Sequence, residues 1–72
     1  MTNTELLDRY IRDSGYKKSK LANALGITYA GFGKKCKGET EFKASEIQIL
    51  CNMLGIEGGA EKDSVFFAQE GE

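Results

Sequence analysis

The segment from residue 17 to residue 38, KKSKLANALGITYAGFGKKCKG, restricts the fold more than any other part of the chain. Apolar residues on either side of Gly26 are spaced as on one face of a helix. Gly26 can take the positive φ that ends a helix because it has no Cβ, and Thr28 is a good N-cap for a second helix. The segment therefore predicts two short helices, at about 18–25 and about 28–37, joined by a tight turn.

Charge is strongly segregated along the chain. Residues 1–13 contain three acids and two arginines (net −1), residues 14–38 six lysines and no acid (net +6), and residues 39–72 eight acids and two lysines (net −6). The six lysines are Lys17, Lys18, Lys20, Lys34, Lys35 and Lys37. Because charges are screened over roughly 8 Å at physiological salt, a nearby polyanion responds to this segment rather than to the total of −1. The lysines either face a phosphate backbone or simply solvate exposed helix faces.

Residue size within the same segment indicates how the two helices pack. Ala22 is small enough for them to approach closely, and Phe32 is large enough to fill a core beneath them. Gly31 and Gly33 each cost a helix about 1 kcal/mol relative to alanine, so helix propensity does not explain them. We expect Gly31 to allow packing on a neighbouring helix and Gly33 to allow close approach of DNA. The pattern is that of a helix-turn-helix.

The N-terminal segment predicts a first helix. Thr2 and Glu5 match the S/T-x-x-E capping box, in which the threonine side chain accepts from the backbone N–H of the glutamate. An apolar stripe follows, and Gly15 is placed to end the helix. The stripe consists of Leu6, Leu7, Tyr10 and Ile11. Tyr16, directly after the glycine, is expected to pack into the core.

The C-terminal third predicts one further helix and a last segment with two alternatives. The helix is expected from residue 43 or 44 to residue 54, with Gly55 as its stop. Residues 57–59, EGG, are expected to form a mobile link. Residues 61–67 form either a short helix or a chain that becomes extended at its VFF end. Because VFF either covers the core or contacts a second subunit, segment 57–72 is expected to be mobile or dimerising.

Length and composition narrow the classes of function. Seventy-two residues form one domain near the lower size limit for an independent core, so a homodimer is expected. The absence of a long apolar run and of a basic leader favours a cytoplasmic protein with no membrane partner. Cys36 and Cys51, without histidine, cannot make a zinc site, and we expect both to be reduced and partly buried. No cofactor, small-molecule effector or enzyme active site is indicated, because GFGKK resembles a phosphate-binding GxGxxG only superficially.

The stretch from residue 18 to residue 54 resembles the DNA-binding domain of the Cro and lambda-repressor type of phage regulators, the xenobiotic-response-element-type helix-turn-helix family. The resemblance lies in LAxxLGIT, the GFG segment, KG and the apolar pattern of the following helix. Its diagnostic small residue, turn glycine and large apolar residue are Ala22, Gly26 and Phe32. The resemblance implies an all-α, lambda-repressor-like domain over residues 1–72 with four to five short helices. The second and third of these would form the helix-turn-helix, at about 18–37.

The same resemblance assigns contacts to individual residues. Lys18 takes the position of a phosphate-bracing glutamine, and the early recognition-helix positions that read base edges are occupied by residues 28–30. Arg, Asn and Gln, the side chains that usually make bidentate hydrogen bonds to bases, are missing from this helix. Specificity is then expected from a hydrogen bond of Lys34 to guanine and from contacts of Tyr29 and Ala30 with thymine methyl groups. The shape of the DNA is expected to contribute as well. The predicted DNA-binding residues are Lys17, Lys18, Lys20, Thr28, Tyr29, Ala30, Gly33, Lys34 and Lys37.

Lys35 departs from the family pattern, because this position is usually apolar. Either its stem lies along the edge of the core with the ammonium group reaching out, or the recognition helix is slightly rotated. Rotation would change which residues read bases.

Two classes of function follow. The first is a dimeric, sequence-specific regulator of transcription that binds double-stranded operator DNA, with its recognition helix at 28–37 in the major groove. It is expected to be a repressor of phage, prophage or mobile-element type. The alternative is a protein-interaction module, such as an antitoxin or antirepressor, that binds a basic partner through its acidic C-terminal third.

Overall fold

A computed structural model describes residues 1–68, and within them the secondary structure consists of five α-helices. They are α1 (Thr4–Ser14), α2 (Lys18–Leu25), α3 (Tyr29–Cys36), α4 (Ala44–Leu54) and α5 (Gly59–Phe66). The predicted all-α class is confirmed, and the predicted bounds of α2 and α4 are correct. The longest of these helices have 11 residues, about half the length that a bilayer requires, and none in this part of the chain could span a membrane.

The first helix begins one residue later than the sequence predicts. Asn3, rather than Thr2, is the N-cap, and its side-chain oxygen accepts a hydrogen bond from the backbone N–H of Leu6 at 3.1 Å. The predicted capping box at Thr2 is therefore wrong. The backbone N–H of Asn3 donates to the carbonyl of Val65 at 2.7 Å, and Thr2 is buried. This contact with α5 fixes the start of α1.

The turn between α2 and α3 follows the predicted pattern. Gly26 has a φ of 73°, in the left-handed region, and its N–H donates to the carbonyl of Asn23 at 3.0 Å. The N–H of Ile27 donates to the carbonyl of Ala22 at 3.1 Å, which completes a Schellman cap. The side chain of Thr28 then accepts from the N–H of Gly31 at 2.9 Å and caps α3 as predicted.

Gly31 has a different role from the one expected. A Cβ at this position would lie 3.1 Å from Oγ1 of Thr28, and among the described residues no atom of another helix comes within 4 Å of it. The prediction that Gly31 allows a neighbouring helix to approach is therefore wrong. Its missing side chain leaves room for the threonine that caps its own helix.

The core lies between the helices and includes side chains from all five of them. Phe42, in the loop before α4, contacts Phe32 and Phe66 edge-on, with ring centroids 6.2 Å and 5.6 Å apart. The other buried apolar residues are Leu7, Ile11, Leu21, Ala22, Ile47, Leu50, Leu54, Ile56 and Val65. The three phenylalanines therefore form one cluster that joins α3 and α5 to the loop before α4.

The last segment is helical, so the extended alternative is wrong for these residues. Gly59, expected in a link, is the first residue of α5. Val65 and Phe66 are buried, whereas Phe67 is 51% exposed. The VFF sequence is thus divided between core and surface. Residues 69–72, which belong to the segment expected to be mobile or dimerising, lie outside the described residues.

Tyr16 does not pack into the core as expected, since its side chain is 39% exposed. The chain leaves α1 through Gly15 with a φ of 80°, and the N–H of Tyr16 then donates to the side chain of Ser14 at 3.1 Å. This turn directs the tyrosine outward. Tyr10 is half-buried, and its hydroxyl donates to Glu61 on α5 at 2.7 Å.

Candidate nucleic-acid interface

The recognition helix α3 has one buried and one exposed flank. Phe32 is fully buried and Cys36 is half-buried, as their spacing predicts. On the opposite flank the side chain of Tyr29 is 63% exposed. Ala30, Lys34 and Lys37 are exposed as well. The flank that the sequence assigns to DNA is therefore free of intramolecular packing.

A groove of about 780 Å³ lies between α1 and α3, and we call it the α1–α3 groove. Its floor includes side chains of Ile11, Phe32 and Cys36. Six of the predicted DNA-binding residues line it: Lys18, Tyr29, Ala30, Gly33, Lys34 and Lys37. Two acidic residues, Asp8 and Glu39, line it too. The groove thus combines an apolar floor with a rim of both charge signs.

A second concavity of about 550 Å³, the α2–α3 groove, lies on the other side of Tyr29. Lys17 and Lys20 line it, together with Ser19 and Asn23 of α2. Because Tyr29 lines both grooves, the two concavities meet at the start of the recognition helix. Eight of the nine predicted residues therefore border this one surface, and the ninth, Thr28, caps α3 between them.

The positive charge of this surface is smaller than the sequence suggests. Of the six lysines in the segment, Lys35 pairs with Glu46, and Lys18 lies 3.9 Å from a carboxylate oxygen of Asp8. Within residues 1–68, the other four lysines take part in no ion pair. These four, which we call the free lysines, are Lys17, Lys20, Lys34 and Lys37.

Lys35 lies along the edge of the core, as the first alternative predicts, but its ammonium group does not reach out to solvent. Nζ lies 3.0 Å from Oε1 of Glu46, donates to the carbonyl of Glu41 at 2.9 Å, and stands 5.9 Å from the ring centre of Phe42. Its side chain is only 14% exposed. Since Phe32 still faces the core, the lysine at position 35 is explained without a rotation of α3.

Glu46 remains ionised in this contact. Burial opposes its ionisation, but the hydrogen bonds from the backbone N–H of Lys43, at 2.8 Å, and from Lys35 outweigh burial, so the pKa of Glu46 lies below its ordinary value. The carboxylate therefore serves both as a cap for α4 and as the partner of α3.

The two cysteines are free thiols and partly buried, as expected. Burial raises the pKa of Cys36 to about 11, with Lys18 lowering it and Asp8 raising it by smaller amounts. Burial likewise raises the pKa of Cys51. Both thiols are therefore protonated at neutral pH. Among the described residues, no three His, Cys, Asp or Glu side chains are grouped so that they could hold a metal ion.

Sequence reasoning missed several polar residues of this surface, among them Ser19, Asn23 and Asp8. Ser19 and Asn23 are four residues apart on α2, so helical spacing alone could have placed them on one face beside Lys20. Asp8 had no such signal, because it belongs to α1 and reaches the α1–α3 groove only through the packing of the helices.

Comparison with known proteins agrees with this geometry. A family model described as the Cro/C1-type HTH DNA-binding domain matches residues 6–59, three quarters of the chain. Searches of curated proteins and of solved structures found no significant match. The matched range begins in α1 and extends to the first residue of α5, so it includes both helices of the motif and all nine predicted DNA-binding residues. The chain therefore belongs to the Cro/C1-type helix-turn-helix DNA-binding family.

Proposed function

We propose that this protein is a dimeric, sequence-specific repressor of transcription that binds double-stranded DNA with α3 in the major groove. The exposed flank of α3, with Tyr29 and the free lysines on both sides of it, is the observation that supports this most strongly. The major groove of B-DNA, about 12 Å wide, admits an α-helix. The sequence of α3, YAGFGKKC, contains no acidic residue that would repel the phosphates beside it.

Phosphate contacts are assigned to the start of α2. Lys17 and Lys20 are exposed there, and the side chain of Lys17 does not cap the helix, so the first backbone N–H groups of α2 are available to an anion as well. Such contacts position the protein on DNA without reading sequence.

Base contacts are assigned to the exposed flank of α3. Lys34 donates to guanine acceptors, while Tyr29 and Ala30 contact thymine methyl groups. A good bidentate contact to a base edge distinguishes the right base from a wrong one by about 1–3 kcal/mol.

The test is a fluorescence-anisotropy titration against DNA flanking the coding region and against random duplex, at several salt concentrations. The logarithm of the binding constant should fall with the logarithm of salt, with a slope of about −0.9 per phosphate neutralised. Lys34→Ala should weaken binding and relax the preference at one base pair, whereas the matched control Lys62→Ala, on α5, should do neither. Absent binding, or binding that does not depend on salt, would count against the proposal.

A homodimer places two copies of α3 about one helical turn apart on a pseudo-palindromic operator. Phe67 and Met1 are large apolar side chains with about half their surface exposed, and they provide apolar area for an interface. The phage or prophage type and the cytoplasmic location are proposed from the resemblance to regulators of that type.

The alternative, a protein-interaction module, rests on α5. Phe67 and Asp63 line one shallow concavity, so an apolar anchor lies beside a negative charge. A basic partner bound there should be lost in Phe67→Ser, while DNA affinity of the monomer should not change. Val65 and Phe66, being buried, do not serve this test.

A further inference from the structure

Asp8 is the acidic residue of α1 that faces the proposed DNA surface. Its carboxylate lies in the α1–α3 groove, where one oxygen is 3.9 Å from Nζ of Lys18 and the other is 3.4 Å from Nε of Arg12. Arg12 is one turn further along the same helix, so it holds one carboxylate oxygen while the other faces Lys18. The carboxylate and the lysine side chain are each about half exposed.

This contact contributes little to the fold. Ion pairs between solvent-exposed side chains stabilise proteins by at most about 1 kcal/mol, and they are weakened by salt. The same charges matter more for a bound polyanion, because a phosphate held by Lys18 would stand within a few ångströms of the carboxylate of Asp8. Charged groups at the edge of an interface mainly change the association rate and the salt dependence of binding.

We propose that Asp8 competes with DNA phosphate for Lys18, and so sets the strength of DNA binding without taking part in base recognition. The inference rests on the function proposed above. In the free protein the carboxylate of Asp8 pairs with the ammonium group of Lys18, which the sequence assigns to a phosphate contact. In the complex the same carboxylate repels the phosphate that Lys18 binds. Removing its charge should therefore tighten binding to every sequence alike.

Glu39, the other acid of the α1–α3 groove, has a different position. It follows α3, and its backbone N–H donates to the carbonyl of Lys34 at 2.9 Å. The ion pairs of the described residues include Asp8 twice and Glu39 not at all. Asp8 is therefore the acid whose removal frees a lysine.

The experiment measures DNA binding of the full chain at several salt concentrations for Asp8→Asn, Asp13→Asn, Lys18→Gln and the double variant Asp8→Asn/Lys18→Gln. Asp13 is a matched control, because it is an exposed acid on the same helix. Asp8→Asn should bind specific and random duplex about three- to tenfold more tightly, and its salt slope should steepen by about 0.9, the value for one further phosphate. Asp13→Asn should change affinity less than twofold. In the Lys18→Gln background, Asp8→Asn should lose its effect.

Each result has a defined meaning. Equal effects of Asp8→Asn and Asp13→Asn, or a gain that persists without Lys18, would overturn the competition while leaving the proposed function intact. If the unaltered protein binds no duplex DNA, the proposed function fails and the inference fails with it. Thermal unfolding of each variant shows whether the fold is preserved.

A second measurement needs no DNA. Cys36 lies in the same groove, where Asp8 and Lys18 shift its pKa in opposite directions. In a Cys51→Ser background, alkylation of Cys36 at a fixed alkaline pH should be faster in Asp8→Asn and slower in Lys18→Gln. Unchanged rates in both variants would mean that neither charge lies close to Cys36 in this groove.

Discussion

Lys35 on α3 and Glu46 on α4 connect the two helices through a shielded ion pair. Their side chains are 14% and 7% exposed. Each makes a second hydrogen bond. Lys35 donates to the carbonyl of Glu41 in the loop before α4, and Glu46 accepts from the backbone N–H of Lys43 at the start of α4. Removing one partner of a shielded ion pair leaves the other charge without compensation. Single substitutions here should therefore cost far more than at exposed ion pairs.

Glu46→Gln should lower the free energy of unfolding by about 1.5–3 kcal/mol at pH 7, the usual range for hydrogen bonds to charged groups. The folded-state pKa of Glu46 is below its ordinary value of 4.5, so its ionised form stabilises the fold above that pH. This contribution is lost as the pH falls through the folded-state pKa. Urea unfolding between pH 3 and pH 7 should show the difference between the two proteins shrinking below about pH 4.5.

Glu57→Gln is the control for this measurement, because Glu57 is exposed. It should change stability by no more than about 0.5 kcal/mol at either pH. A difference between wild type and Glu46→Gln that does not depend on pH would show that packing, rather than charge, makes the contact important.

At the scale of the element, α3 is ordered by its ends and its packing rather than by its composition. Thr28 caps its first turn, and the N–H of Gly38 donates to the carbonyl of Lys35 at 3.1 Å in a Schellman cap at its end. Phe32 fixes the middle of the helix in the core. These contacts offset two glycines that an isolated helix would not tolerate well.

Gly33→Ala should stabilise the protein by about 0.5–1 kcal/mol, because Gly33 lies inside α3 and a Cβ there would meet nothing within 4 Å. The added methyl group would project into the α1–α3 groove, so DNA binding should weaken at the same time. Thermal unfolding and DNA titration of the same preparation measure the two effects. Higher stability with unchanged DNA affinity would place this part of α3 outside the interface.

Gly26→Ala should have the opposite effect on stability, with a loss of about 1–2 kcal/mol. Open space surrounds this position as well, so the cost comes from the φ of 73° rather than from a clash. Chemical denaturation measures the free energy of unfolding of this variant and of Gly33→Ala. Because a Cβ meets no atom within 4 Å at either position, a difference between the two variants reports backbone strain rather than crowding. Equal effects of the two substitutions would contradict this account.

For the whole molecule, the two ends of the described chain meet at α5. The bond from Asn3 to Val65 joins the start of α1 to α5, and Phe66 completes the aromatic cluster with Phe42. Phe67, next in sequence, remains outside the core. The fold therefore leaves an apolar side chain on the surface at the place where α5 ends.

Phe67→Ser should weaken dimer formation and lower the stability of the monomer by only about 1 kcal/mol, because the side chain is 51% exposed. Sedimentation equilibrium over a range of concentrations should show a lower average mass for the variant. Tyr16→Ser, which also removes an exposed aromatic ring, should leave the mass unchanged. A monomeric wild type would contradict the proposed dimer directly.

Local sequence determined the elements of this protein, because caps, glycines and apolar spacing act within a few residues. The bounds of α2 and α4, the turn at Gly26 and the inward position of Phe32 follow from these signals. The predicted DNA-binding residues gather at one surface because most of them lie on two adjacent helices joined by that turn.

Tertiary structure alone decided which charges pair between helices and which residue caps α1. Glu46 forms an ion pair with Lys35, and Asp8 forms one with Lys18. In each pair the two residues belong to different helices. Asn3 replaces Thr2 as the cap of α1 where the chain contacts α5. Periodicity indicates which side of a helix is apolar, but not which residue of another helix faces each polar position. That depends on the angles and distances at which the helices pack in three dimensions.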